Sequence, residues 1–309
     1  MNHPQPPAAP LRHALRALKH WNFLLFWAGQ GTSVVGTWMQ ITAQSWLIYR
    51  LTHSPLFLGL LSAARFGPAL VVAPFAGIVV DRFPRRRVAL LTQTAGLLLA
   101  TLLAGLALAG QLRVRHILLL ATLQGCLDAV DATNRYAFQM DMVGADDLQS
   151  ALGLNSAAFN SARMVGPWIA GILIARFGET VCFGLNAASY LAVLGSLTVI
   201  RLPPGASSRP SPVTAQAIKA GLHFIWTTPT VRRVMLAVAM TSLTGLAVNT
   251  LVPALARDNL HTGAQGFGRL MAGGGIGAIL GSLGAAAFAT HGGRHASIRS
   301  RSARSGAPC

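Results

Sequence analysis

Acidic side chains are scarce in this chain. Its 309 residues include eight Asp and Glu against twenty-five Lys and Arg, and charged residues of both signs make up only 11%. So little charge excludes an ordinary soluble domain of this length, which carries about 25% charged residues. Three cysteines, Cys126, Cys182 and Cys309, have no ligand spacing and support neither a disulfide framework nor a zinc site. The nine histidines show no HExxH or other metal spacing. Neither a nucleophile elbow nor a phosphate loop is present. Nothing in the sequence argues for an enzyme, a metal or a cofactor.

Apolar residues fill the space, at 52% of the chain. They fall in runs long enough to cross a hydrocarbon core of about 30 Å. Eight spans are expected: Phe23–Tyr49, Leu56–Val80, Val88–Gly110, Ile117–Tyr136, Leu152–Ala175, Val181–Ile200, Val234–Leu255 and Phe267–Thr290. The first is too long for the apolar stretch of a cleaved signal peptide and lacks an A-x-A-type site, so the amino terminus is expected to stay on the chain. The lipid bilayer is thus the first implied partner.

A net charge of +17 would suit a nucleic-acid binder if the basic residues shared one face. They sit instead in short clusters between apolar runs. The densest is GIVVDRFPRRR, Gly77 to Arg87, read as a short basic loop between spans two and three. Arg12, Arg16 and Lys19 precede span one, and Arg201, Arg209, Lys219, Arg232 and Arg233 lie between spans six and seven. The alternate connections carry fewer, so the positive-inside rule places the amino terminus, the 81–87 loop and the 201–233 linker in the cytoplasm. No nucleic-acid partner is expected.

The chain divides at that linker. LPPGASSRPSP, Leu202 to Pro212, cannot continue a helix, and Ala217 to Trp226 can lie on the membrane surface as an amphipathic helix. The expected organisation is a cytoplasmic amino terminus (1–22), a six-helix lobe (23–200), the linker (201–233), two helices of a second lobe (234–290) and a basic tail (291–309). Six helices, a long linker and a second set of helices is the layout of a two-lobed secondary transporter.

Several blocks in order carry a family resemblance. Gly29 to Pro55, with its Gly-Thr-Trp-Met-Gln run, Gly125 to Phe138 and Ala151 to Pro167 resemble the first, fourth and fifth helices of the major facilitator superfamily, in the branch formed by the enterobactin-exporter and transmembrane-secretion-effector family. The resemblance runs from about Phe26 to Ala287. It implies an all-α integral membrane bundle with a complete six-helix amino-terminal lobe and about two helices of the second. It also implies a multi-pass antiporter in the bacterial cytoplasmic membrane that exports a small molecule, drug-like or siderophore, at the expense of protons. Gly77, Asp81, Arg82, Arg85 and Arg86 fall on the superfamily's gating motif, with Pro84 replacing its second glycine. By resemblance, the motif's Asp and Arg side chains engage helix ends of the opposite lobe. A plain topology anchor is the other reading.

Charges within the spans are costly, at least about 2.5–3.5 kcal/mol for a lone one at the bilayer centre. Asp128, Asp131 and Arg135 are spaced to share one face of span four and are the proton-coupling candidates. For Asp131 and Arg135 a purely structural ion pair is the competing reading, which leaves Asp128 the sharper candidate. Arg163, beside Gly166 and Pro167 in span five, either faces the cavity or snorkels to the interface. Gly166 and Pro167 suit a kink, by likeness to the exporters' antiporter motif. Arg65 in span two is a further intramembrane charge with no assigned role. Gln30, Trp38, Gln40 and Gln44 form a polar stripe on span one, suited to lining a cavity or to bonding between helices. The glycines from Gly273 to Gly284 suit close packing of span eight.

From about His291 the sequence becomes rich in Arg and Ser, without acids or apolar periodicity, and reads as disordered. The superfamily's usual twelve spans make a shifted frame or a truncation the simplest expectation. A non-transporting membrane remnant or scaffold is therefore the alternative to an exporter.

Overall fold

The computed structural model describes residues 15–200, 223–274 and 276–277, and every regular element among them is helical. A short 3₁₀ turn, Arg16–Lys19, leads into α1, Trp21–Thr52, which stops where His53 adopts φ 50°. Helix α2, Pro55–Arg82, opens on a proline whose missing N–H has no helical partner to lose. Helices α3, Arg85–Leu108, α4, Val114–Phe177, α5, Glu179–Val199, and α6, Pro229–Ala254, follow. After α6 come a π-turn, Leu255–Asn259, and a further helix over 264–274.

The basic segment Gly77 to Arg87 is scarcely a loop. Only Phe83 and Pro84 lie outside the helices. Ile78, Val79 and Val80 carry α2 on to Arg82, and it stops because the residue before a proline is driven out of the helical region. Phe83 accordingly sits at φ −114°, ψ 151°.

Spans four and five are two arms of α4, hinged at Gly144, whose φ of 73° and ψ of 177° break the helix. A side chain there would be strained, and glycine is not. The arms run in opposite directions. Along α1, Trp27 donates to the Leu154 carbonyl and Trp38 meets Gly166, in parallel with the 145–177 arm, while Phe26 packs on Phe138 of the 114–143 arm. One residue thus reverses the chain and turns five hydrogen-bonded runs into six packed segments.

Two apolar clusters divide the bundle along its length. One, with Phe23, Phe26, Phe138 and Leu197, fills the end where the arginines of α2 and α3 lie, here called the basic end. The other, with Ile48, Leu58, Leu103, Ile117 and Phe183, fills the far end and also takes in Ala256, Ala264 and Phe267 from the chain after α5. Outside the bundle the pattern inverts. Leu70, Val71, Leu91 and Leu108 are 68–84% exposed, as expected of side chains that face lipid rather than water.

Among the described residues, three helical stretches are long and apolar enough to cross a membrane by themselves: Pro55–Ala73, Arg85–Leu108 and Glu179–Val199. That is fewer than the eight spans expected from apolar runs. Helix α1 owes its lower hydropathy to buried Gln30, Gln40 and Gln44, and the first arm of α4 to Asp128, Asp131 and Arg135. These polar groups point into the bundle, where a hydropathy average cannot distinguish them from exposed ones. Of the expected amphipathic helix, 223–226 is helical. Its earlier part, the linker over 201–222, the later part of span eight, the tail and Arg12 lie outside the described residues.

Candidate functional site

Between the two apolar clusters lies a cavity of about 280 Å³, to which α1 through α5 all contribute. Trp38, Phe66, Phe159 and Tyr190 give it aromatic walls, and Gln30, Gln93 and Gln124 add amides. Its charged groups come from two helices. Arg65 of α2 pairs with Asp128 of α4 at 2.6 Å, and Asp131 pairs with Arg135 one turn along at 3.2 Å.

A glycine makes the first pair possible. A Cβ on Gly125 would lie 2.3 Å from the Arg65 carbonyl oxygen, so only a bare backbone lets α2 and α4 approach this closely. The Arg65 side chain is then 7% exposed, while that of Asp128 is 46% exposed and open to the cavity. Gln124 donates to Asp128 at 2.9 Å and to the Tyr190 hydroxyl at 3.0 Å, so α5 is joined to the same network. Arg65 Nε and the Gln93 and Gln124 side-chain carbonyls are buried without a hydrogen-bond partner among the described residues.

The two aspartates of α4 have different surroundings. Asp131 Oδ1 accepts from Thr92 at 3.2 Å and Gln93 at 3.0 Å, and its other oxygen meets Arg135. Asp131 and Arg135 are 14% and 18% exposed, so this carboxylate is enclosed and fully engaged. Its arrangement suits holding α3 against α4. Asp128 has one amide and one guanidinium, and a face towards open space.

The other candidates are scattered. Gln40 accepts from Asn186 at 2.8 Å and ties α1 to α5, and Gln44 is buried in the same helix away from the cavity. Gln30 and Trp38, rather than Gln40 and Gln44, line the cavity. The Arg163 guanidinium lies 5.9 Å from the centre of the Trp38 ring, behind an aromatic wall, with Phe159 edge-on to the same ring. Gly166 allows the 145–177 arm to cross α1, since a Cβ there would lie 2.6 Å from Trp38 Cβ. Pro167 is buried within that arm, and its carbonyl faces Gly268.

At the basic end the gating motif is engaged with its own bundle. Arg85 donates to Asp141 and to the Ala137 carbonyl, and Asn134 donates back to the Arg85 carbonyl at 3.0 Å. Burial pushes the Asp141 carboxyl up, and Arg85 beside it pulls in the opposite direction. Arg86 donates to the Leu197 and Thr198 carbonyls, where the end of α5 carries partial negative charge. These contacts run to α4 and α5. Gly77 and Asp81 are half-buried near the end of α2, and Arg82 is exposed.

Sequence reasoning missed several partners because chain distance hides them. His20 meets Asp147 at 2.9 Å and the Ala17 N–H donates to Ser150 at 3.0 Å, which fastens the entry to α1 onto the second arm of α4. The hydrogen bond from His20 holds the Asp147 carboxyl below the usual range. At the far end Arg50 meets Glu179 at 3.2 Å. Among the described residues no group of three metal-ligating side chains comes together.

A family model described as transmembrane secretion effector matches residues 9–300, beyond both ends of the stretch that carries the sequence resemblance. The staphyloferrin A transporter of Staphylococcus aureus is 26% identical over 85% of this chain and 64% of its own length. The multidrug efflux pump Tap of Mycolicibacterium fortuitum is 28% identical over 86% and 67%, respectively. An enterobactin exporter of Shigella boydii is 30% identical over 76% and 56%. The chain thus spans between 56% and 67% of the length of these relatives. With a bundle that is helical throughout its described residues, that exposes apolar side chains on its outside and gathers Arg65, Asp128, Asp131 and Arg135 about a cavity, and with a family match over nearly its whole length, this chain belongs to the transmembrane secretion effector family of major facilitator transporters, a family of carriers and not of enzymes.

Proposed function

We propose that this chain forms the proton-coupling part of a secondary exporter, which moves a small molecule, drug-like or siderophore, out through the bacterial cytoplasmic membrane by alternating access. The observation that carries this reading is the Arg65–Asp128 pair, in which a buried guanidinium holds a carboxylate that is half open to a central cavity. In this scheme the first six helical segments are the amino-terminal lobe, α6 and the helix after it belong to the second, and the basic end faces the cytoplasm with the amino terminus.

Asp128 is the proton carrier. A proton arriving from outside adds to a carboxylate oxygen, cancels its charge and weakens its hold on Arg65. Release of that proton to the cytoplasm restores the pair. A substrate in the cavity and the proton at Asp128 thereby act on the same guanidinium, which is a physical basis for coupling. Asp131, enclosed by Thr92, Gln93 and Arg135, braces α3 against α4. Gly77, Asp81, Arg82, Arg85 and Arg86 form the corner that keeps α2, α3, α4 and α5 together at the cytoplasmic end. Gly166 and Pro167 allow the second arm of α4 to cross α1 closely.

The test is substrate-dependent proton movement in vesicles holding the full chain and an acid-quenched dye, challenged with a drug and, separately, with a siderophore. Added substrate is expected to dissipate the proton gradient, Asp128→Asn to abolish this response, and Asp131→Asn to retain coupling in a less stable protein. Unchanged coupled transport in Asp128→Asn would remove Asp128 from the scheme. No response from the unaltered chain with either substrate would favour a non-transporting membrane protein or scaffold.

A further inference from the structure

At the far end, the described contacts between the chain after the linker and the first bundle include four of different kinds. The Tyr49 hydroxyl, on a side chain only 1% exposed, donates to the Asp258 carboxylate. Ser62 of α2 and Thr250 of α6 share a hydrogen bond of 2.9 Å. Trp46 stacks on Phe267 with ring centres 5.7 Å apart. Gly171 and Gly268 cross so closely that a Cβ on either would lie 2.8 Å from the other's Cα.

The local structure around Asp258 is specialised. It sits on the π-turn Leu255–Asn259, just past Pro253, and the turn is closed by Thr262, whose N–H and hydroxyl both donate to the Ala256 carbonyl at 2.8 and 2.9 Å. A π-turn adds one residue to the helical repeat and so re-aims side chains, and such turns concentrate at functional positions. On the other side, Arg50 next to Tyr49 is tied to Glu179, so the phenol is presented from a corner braced within the first bundle. Near the other end of α6, Val234, Met235 and Leu236 are 50–58% exposed. The described contacts between α6 and the bundle therefore gather at the far end.

We propose that the Tyr49–Asp258 and Ser62–Thr250 hydrogen bonds form a releasable polar latch that closes the far end of the cavity, and that the Gly171–Gly268 crossing is the pivot on which it opens. The latch rests on the alternating-access reading and gives it one named gate. Once the helices part, the two hydrogen bonds can be exchanged for bonds to water with little net loss, while the apolar contacts of Phe267 and Ala256 with the bundle are given up. The glycine crossing has no side chains to disengage, so two helices can tilt there while remaining in contact. Helix α2 links the latch to the cavity, because Ser62 lies three residues from Arg65, on the same side of the helix. A shift of α2 on release of Asp128 reaches the latch directly.

The experiment uses the full chain in cells and in inverted vesicles, with Ile41→Cys in the cavity wall as reporter. A membrane-impermeant maleimide is applied to each face separately, and its rate is taken over that of the same chain without the reporter, which corrects for the native thiols. From the outer face, Tyr49→Phe and Asp258→Ala are each expected to raise the rate about fivefold, the change for losing one hydrogen bond of ordinary net strength. The double variant is expected to match either single, since both remove one bond. Tyr49→Phe keeps the ring and its packing, and unchanged labelling from the inner face checks that the bundle is intact. Outer-face labelling that neither substitution alters, or effects that multiply in the double variant, would overturn the latch and leave the transport reading standing. Absence of outer-face labelling in every chain would overturn both.

Discussion

Exchanging Asp128 for Asn should destabilise the protein more than removing its partner, because the two members of the pair are unequally buried. The Arg65 guanidinium is 7% exposed and the Asp128 carboxylate 46%. Breaking a fully buried pair by removing one partner costs about 3–5 kcal/mol, since the remaining charge is uncompensated. Arg65 is near that limit, but water in the cavity reaches the position of its partner, so about 2–3 kcal/mol is expected for Asp128→Asn. Arg65→Met leaves a carboxylate that is accessible to water and still bonded by Gln124, and about 1 kcal/mol is expected. The double variant removes the buried charge and its need for a partner together, so it should lose only about 1 kcal/mol relative to the parent. The coupling between the two sites is then about 2–3 kcal/mol, well above the roughly 0.5 kcal/mol scatter of independent sites. Equilibrium unfolding of the four proteins in mixed micelles, followed by helicity and titrated with sodium dodecyl sulfate, measures it. Additive losses would refute the pair as drawn, and with it the reason for giving Asp128 rather than Asp131 the proton.

Three further outcomes follow from the packing. Gly125→Ala places a methyl 2.3 Å from a backbone oxygen that cannot swing away, so a loss of about 2 kcal/mol or more is expected in the same unfolding assay. Arg85→Ala leaves Asp141, 8% exposed, without its cation and should cost about 3 kcal/mol or more, whereas Arg87→Ala on the exposed side of the same turn should stay within about 0.5 kcal/mol. The His20–Asp147 tie should be sensitive to acid. Because the Asp147 carboxyl is held below its ordinary value, its contribution is complete above the ordinary carboxylate range and is lost as pH falls through its own lowered value. Hydrogen exchange at the Ala17 amide should therefore gain protection with rising pH across that window once intrinsic exchange rates are corrected for, and His20→Ala should abolish the gain.

The sequence by itself determined that this is a helical membrane protein, where its apolar segments lie and which charges lie within them. Apolar length and the clustering of arginine are local properties, and lipid acts on each segment separately, so both are legible without tertiary contacts. The spacing of Asp131 and Arg135 likewise announced a pair on one helix face, and the structure contains it. The partners across helices were not legible. Nothing in the chain near Asp128 indicates that Arg65 neutralises it, because the match depends on Gly125 bringing two backbones together. Likewise, Gln40 and Gln44 share the polar stripe of α1 with Gln30 and Trp38, but only the packing of α5 decides which of these groups it covers and which reach the cavity. Tyr49 and Asp258 are 209 residues apart, joined by a turn whose extra residue no periodicity foretells. Helix positions follow from the solubility of each segment in the bilayer, whereas pairing between helices depends on the close approach of specific surfaces, and that exists only in the folded bundle.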